Sequence, residues 1–238
     1  MNGQFSTRVI TLMPVAIAIN IVLGVTVQQV LKLPIYLDSI GTILVGVLAG
    51  PLAGALTGIL SNLIWQYAPG IGGGTIGPFF ITAGVIGVLA GLWGQLGVYK
   101  SRPASGNQLI GAAAIAVVIG ALVALVIAGF ILIRKDLAGI YVAAAGALTG
   151  IVAALVSAPI AAYVFGGVTG SGVDVLVAAL RQGGADVLSA SLGQGLISDP
   201  IDKTITSFVV FIIIASLSPR LLARFPNGER LVESEAAA

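Results

Sequence analysis

Apolar residues run along this chain in long blocks separated by brief polar breaks. The blocks cover residues 9–30, 36–50, 51–67, 77–98, 108–133, 138–165 and 200–218. A helix that crosses a bilayer needs about 20 predominantly apolar residues, fewer where it is short and enclosed by neighbours. The pattern therefore predicts an all-α bundle of six to eight membrane segments over residues 1–226, with no soluble domain and a disordered tail over 227–238. The second and third blocks are short and meet at "AGPLAG" (Ala49–Gly54). Pro51 lacks a backbone donor there and favours the first turn of a new helix, so the spacing predicts two short helices joined by a tight turn. Upstream, Pro34 restricts Leu33 to an extended conformation, and the second helix should begin close to Asp38.

The remaining breaks are Gln66–Pro78, Lys100–Gln108, Arg134–Asp136 and a longer stretch, Gly166–Asp199. Within the last of these, Val173–Leu180 has helical apolar spacing, which predicts a short surface or re-entrant helix. The first block resembles a secretory signal, since Arg8 precedes Val9–Val27 and Ala16–Ala18 reads "AIA". The run exceeds the usual signal core of about 7–15 residues, and the apparent cleavage site falls in its middle, so it is read as the first membrane helix.

Composition agrees with a lipid environment. The chain is 58% hydrophobic and 8% charged, with a mean hydropathy of +1.10, whereas soluble domains carry about 25% charged residues. A net charge of +2 without a basic stripe argues against nucleic acid. The absence of Cys and His excludes disulfides, thiol chemistry and imidazole bases, and no cofactor is predicted. With seven crossings the positive charges split evenly between the two sides. An added traverse or re-entrant hairpin in Gly166–Asp199 would bring both termini to the side of Lys100 and Arg102. The positive-inside rule makes that side cytoplasmic in a multi-pass protein of the cell membrane.

Small residues recur every four positions in three series: Gly46, Gly50, Gly54 and Gly58; Ala112, Ala116, Gly120, Ala124 and Ala128; and Gly146, Gly150, Ala154, Ala158 and Ala162. Such stripes let helices approach closely in lipid, either within one subunit or against a membrane partner. Polar side chains at membrane depth carry more chemical information, because each is costly and faces a cavity or a partner. Asn20 falls midway along the first helix, and Asn62 and Trp65 lie near the end of the third with Tyr67. Asp38 opens the second helix, as Asp199, Asp202 and Lys203 open the last. Asp38 and Asp199 read either as helix caps or as site residues. Asn20 and Asn62 read as interhelical hydrogen-bond glue or as ligand contacts, and Asp202–Lys203 as an interfacial ion pair or part of a site.

The stretch "LKLPIYLDSIGTILVGVLAGPLAGALTGILSNLIW" (Leu31–Trp65) resembles the signature hairpin of substrate-binding S components of energy-coupling factor (ECF) transporters, closest to the riboflavin-transporter-like branch. "GGVTGSGVD" (Gly166–Asp174) followed by "DPIDKTITSFVVF" (Asp199–Phe211) is similar to the external loop and last helix of such proteins. The family has six helices, against at least seven apolar blocks here. Its Ala-x-x-x-Ala coupling motif is met better by Ala112 and Ala116 than by Ala16, Asn20 and Gly24. The resemblance implies a receptor for a vitamin or similar micronutrient, binding at the outer face without catalysis. It also implies a transmembrane coupling subunit, docked on Ala112, Ala116 and Gly120, and two ATPase subunits. The chain itself carries no G-x-x-x-x-G-K-[ST] phosphate loop. The expected pocket gathers Asn20, Asp38, Asn62, Trp65 and Tyr67 with Thr169, Ser171 and Asp174 from the loop, and Asp199, Asp202 and Lys203 from the last helix. The Gly-rich runs Gly72–Gly74 and Gly166–Gly172 read as mobile loops or as gates over it. The rival classes are a membrane sensor or scaffold, which should carry a signalling module, and an intramembrane enzyme, which would have to work with Asp, Lys or Tyr alone.

Overall fold

The structure, a computed structural model, describes residues 3–68, 76–102, 132 and 137–232. Those residues are helical and contain no strand. Helix α1 (Thr7–Gly24) takes up the first apolar block, and a π-helical segment over Val25–Val30 continues it. After the loop 31–39 come α2 (Ile40–Ala49) and α3 (Pro51–Tyr67), with Pro51 in the first turn of α3 as expected. The turn between them rests on Gly50, whose φ of +113° is rarely open to a side-chain-bearing residue. All ten residues of α2 are buried, packed among its neighbours rather than facing lipid, so a block this short suffices.

Helix α4 (Phe80–Gln95) follows a 3₁₀ turn at Gly77–Phe79, and α5 spans Ala138–Phe165. Gly166, in the left-handed region at φ +62°, ends α5, while Gly166 and Gly167 donate their N–H groups to Ala162 O and Ala161 O. The predicted short helix forms as α6 (Asp174–Gln182). Helix α7 (Val187–Ser216) is followed by two single turns, α8 (Pro219–Leu222) and α9 (Gly228–Leu231). Among the described residues, three stretches are long and apolar enough to cross a membrane: Thr7–Val30, Gly77–Gln95 and Ala138–Phe165.

Two expectations fail on the C-terminal side. Asp199, Asp202 and Lys203 do not open the last helix but lie in the middle of α7, which starts at Val187. Its N-cap is Asp186, whose carboxylate accepts the Ser189 N–H (3.1 Å) and Oγ–H (2.6 Å), contacts that hold this exposed carboxyl below its ordinary pKa. Pro200 therefore sits inside the helix, where its missing donor costs one backbone bond. Of the tail expected to be disordered, residues 227–232 are folded, and 233–238 lie outside the described residues. The Asn227 N–H donates to Leu48 O (3.0 Å) and its Nδ2 to Val47 O (3.0 Å), which fastens α9 to the end of α2.

The small-residue series at Gly46–Gly58 and Gly146–Ala162 pack within the subunit. A Cβ at Gly87 of α4 would overlap the Gly54 carbonyl of α3, and one at Gly150 of α5 would overlap the Asp199 carbonyl of α7. Backbones in this contact approach more closely than any side chain allows. The third series, with Ala112, Ala116 and Gly120, lies outside the described residues, as do Gly72–Gly74.

The elements share two ends. At one, Gln4 accepts the Leu52 N–H, Arg8 donates to Arg224 O and Arg230 to Gln95 O, and the Leu137 N–H donates to Arg102 O. At the other lie the end of α1, the starts of α2, α4 and α7, and the end of α5. Phe79 there stacks on Phe165 with ring centroids 5.7 Å apart.

Candidate functional site

The site begins with a strained loop. Lys32 and Leu37 both take left-handed backbone angles, φ +49° and +53°, a conformation that costs a side-chain-bearing residue about 1–2 kcal/mol. What holds Leu37 there comes from α7. One Asp202 oxygen accepts the N–H groups of Tyr36 (2.9 Å) and Leu37 (2.8 Å). The hydroxyl of Tyr36 in turn accepts a hydrogen bond from Gln194 Nε2 at 3.0 Å. The loop 31–39 is thus pinned across α7 at two levels.

A second loop, 166–173, packs against the first. A Cβ on Gly172 would run into the carbonyls of Lys32 and Leu33, so glycine permits the approach. Asp174, in the first turn of α6, shapes this loop by accepting the N–H groups of Thr169 and Gly170 and the Thr169 hydroxyl (2.8 Å). Thr169 Oγ1 also lies 2.8 Å from Ser171 Oγ.

Beneath the two loops is a cavity with about 890 Å³ of unfilled space, counting its open mouth. Its ionic network centres on Lys203, whose ammonium lies 2.5 Å from Asp202 Oδ2 and 3.6 Å from Asp38 Oδ1. The same ammonium stands 5.6 Å from the centre of the Tyr36 ring. Gln28 Nε2 donates to the other Asp38 oxygen at 2.9 Å. Asp199 faces the cavity with a single long contact, from Ser157 Oγ at 3.5 Å.

Of the predicted residues, Asn62, Asp174, Asp199 and Lys203 line this cavity from the helices, and Asp38, Thr169 and Ser171 line it from the two loops. Asp38 is not a helix cap, because its carboxylate is engaged by Gln28 and Lys203. Four predicted residues stay outside. Asn20 is 1% exposed and ties three elements together: its Nδ2 donates to Thr42 Oγ1 (2.8 Å) and Ser61 Oγ (2.9 Å), and its Oδ1 accepts the Gly41 N–H (2.7 Å). Trp65 is buried against Ile17 and Ile21, over Gly24. Tyr67 points away, 79% exposed. Asp202 is fully enclosed and acts on the loop and on Lys203 rather than on the cavity.

Sequence reasoning missed Gln28, Tyr36, Ser157 and Gln194. Gln28 reaches the cavity from the π-helical segment, a widened turn that no hydrophobic period announces. Ser157 and Gln194 sit inside apolar or small-residue helices, where the sole signal was a hydrogen-bonding side chain at membrane depth.

The chain matches no protein-family model, and no curated protein or solved structure matches it either.

Proposed function

We propose that this chain is the membrane-embedded substrate-binding component of an ECF-type uptake transporter, holding a small micronutrient at the outer face. The observation that carries the reading is a polar, ionic cavity at one end of an apolar bundle, covered by two loops fastened to each other and to α7. Such a concave site with a few convergent polar groups in an apolar wall suits a small ligand. The resemblance of Leu31–Trp65 to S components adds the transport context: a coupling subunit and two ATPases would supply the energy that this chain cannot.

The topology belongs to the same proposal. Among the described residues, helices α1, α2, α3, α4, α5 and α7 alternate in direction between the two ends, which we read as six crossings. Both termini then share the end opposite the cavity. That end gathers Arg8, Lys100, Arg102, Arg220, Arg224 and Arg230, against Lys32 and Arg181 at the cavity end. The asymmetry favours cytoplasmic termini and an outward-facing cavity in the plasma membrane. No extra traverse in Gly166–Asp199 is required, because Arg102 and Leu137, which flank residues 103–136, meet at the cytoplasmic end.

The test is mass spectrometry of small molecules that stay with the detergent-purified protein, together with co-purification of membrane and ATPase subunits. A retained, chemically unchanged metabolite is expected. A purified chain that converts a metabolite by itself, or one that retains no small molecule and no partner, would overturn the reading.

A further inference from the structure

The geometry points to a ligand that carries a positive charge, an ammonium, amidinium or cationic heterocycle, placed against Asp199. This inference rests on the proposed binding function and narrows its substrate class.

Three carboxylates, Asp38, Asp199 and Asp202, share the single ammonium of Lys203. They are not equally provided for. Asp202 has the closest ammonium contact and two backbone N–H groups. Asp38 has the same ammonium at 3.6 Å and the Gln28 amide. Asp174 on the loop side is occupied by Thr169 and Gly170. Asp199 is 4% exposed, faces the cavity, has only the 3.5 Å contact with Ser157, and forms no ion pair among the described residues. A buried carboxylate whose only nearby ammonium is engaged more closely by two other carboxylates is poorly compensated, and a cation delivered by the ligand relieves that cost.

Three unpartnered hydroxyls make this a ligand site rather than an acidic cluster. Ser39, Thr82 and Ser191 are 3%, 7% and 1% exposed, line the cavity, and have no hydrogen-bond partner. Buried hydroxyls are normally satisfied, so three facing one cavity are groups for a polar ligand to engage. Phe79 and Tyr36 add aromatic wall, which suits a planar cation. An anionic ligand would meet Asp199 and Asp38 with like charge and is disfavoured.

The test uses the full-length protein in detergent, freed of bound metabolite, and three probes of nearly equal shape: benzamidine, neutral benzamide and anionic benzoate. Thermal unfolding and calorimetric titration should show benzamidine stabilising the protein at millimolar concentration while its twins do not. Asp199→Asn should weaken benzamidine at least about tenfold, since a charge-assisted contact becomes a neutral one. If Asp199→Asn does not fold, the three-probe comparison on the unmodified protein still decides. Equal binding of benzamide or benzoate, no effect of benzamidine, or benzamidine affinity that survives Asp199→Asn would each overturn the inference. A co-purified neutral or anionic metabolite would sink the charge assignment and leave the receptor reading standing. Retention of no small molecule at all would count against the receptor itself.

Discussion

Asp202 concentrates the most consequences in one side chain, because it neutralises Lys203 and also accepts the amides that hold Leu37 in a left-handed conformation. Asp202→Ala would leave a buried ammonium with only more distant carboxylates and release two partly buried N–H groups. A loss of about 3–5 kcal/mol in stability is expected, measured as thermal unfolding in detergent. Asn20 belongs to the same class of structural polar residue. Asn20→Ala strands the Gly41 N–H and should cost about 1–2 kcal/mol in stability, while the folded protein keeps the ligand affinity of the unmodified chain in a calorimetric titration. From sequence, Asn20 signalled only a polar group at membrane depth, and Asp202 read as an ion pair with Lys203 or part of a site at a helix start. Whether such a group faces a cavity or another helix depends on which residues sit across from it. For Asn20 those are Thr42 and Ser61, 22 and 41 positions away. That distance along the chain is why glue and ligand contact could not be told apart beforehand.

Among the helices, the α2–α3–α4 contact, like that of α5 with α7, is defined by small residues. Gly87 meets the backbone of Gly54 with no room for a methyl group, whereas Gly84, one turn earlier on α4, faces the flexible end of Ile59. Gly87→Ala is therefore expected to cost about 1–3 kcal/mol through forced separation of α3 and α4. Gly84→Ala should be close to neutral, because the Ile59 side chain can shift. Thermal unfolding of the two variants side by side checks this, and similar losses from both would show that the backbones do not approach as closely as described. The hairpin was legible in advance because Gly50 and Pro51 punctuate it locally, as Pro34 and the apolar spacing of Val173–Leu180 did for α2 and α6. Helix α7 was not. Pro200 and the charges at Asp199, Asp202 and Lys203 imitate a helix start, and the true start at Asp186 lies in a polar stretch whose helical pattern is weak. A charged group in mid-helix is tolerated only because α2, α5 and the loop 31–39 enclose it, a condition set by tertiary packing rather than by local sequence.

At the scale of the whole molecule, the orientation of the bundle decides whether the cavity meets the outside, and the chain is well suited to a direct test. It contains no cysteine, so each introduced thiol is the sole site for a maleimide. Gln182 is exposed at the end of α6 on the cavity end, and Ala223 is exposed just after α8 on the opposite end. Neither residue makes a side-chain hydrogen bond, so Gln182→Cys and Ala223→Cys should leave the fold intact. In intact cells a membrane-impermeant maleimide should label Gln182→Cys, and it should reach Ala223→Cys only after permeabilisation. Lys100→Cys, near the meeting point of Arg102 and Leu137, should behave like Ala223→Cys. The physical ground is the charge asymmetry among the described residues, six cationic side chains against Lys32 and Arg181 apart from the ion-paired Lys203, since Lys and Arg near the ends of membrane segments are retained on the cytoplasmic side. Labelling of Ala223→Cys from outside with protection of Gln182→Cys would invert the bundle. An inverted cavity would open to the cytoplasm, where a receptor that captures nutrient from outside has no access to its ligand, and the uptake proposal would fall with it.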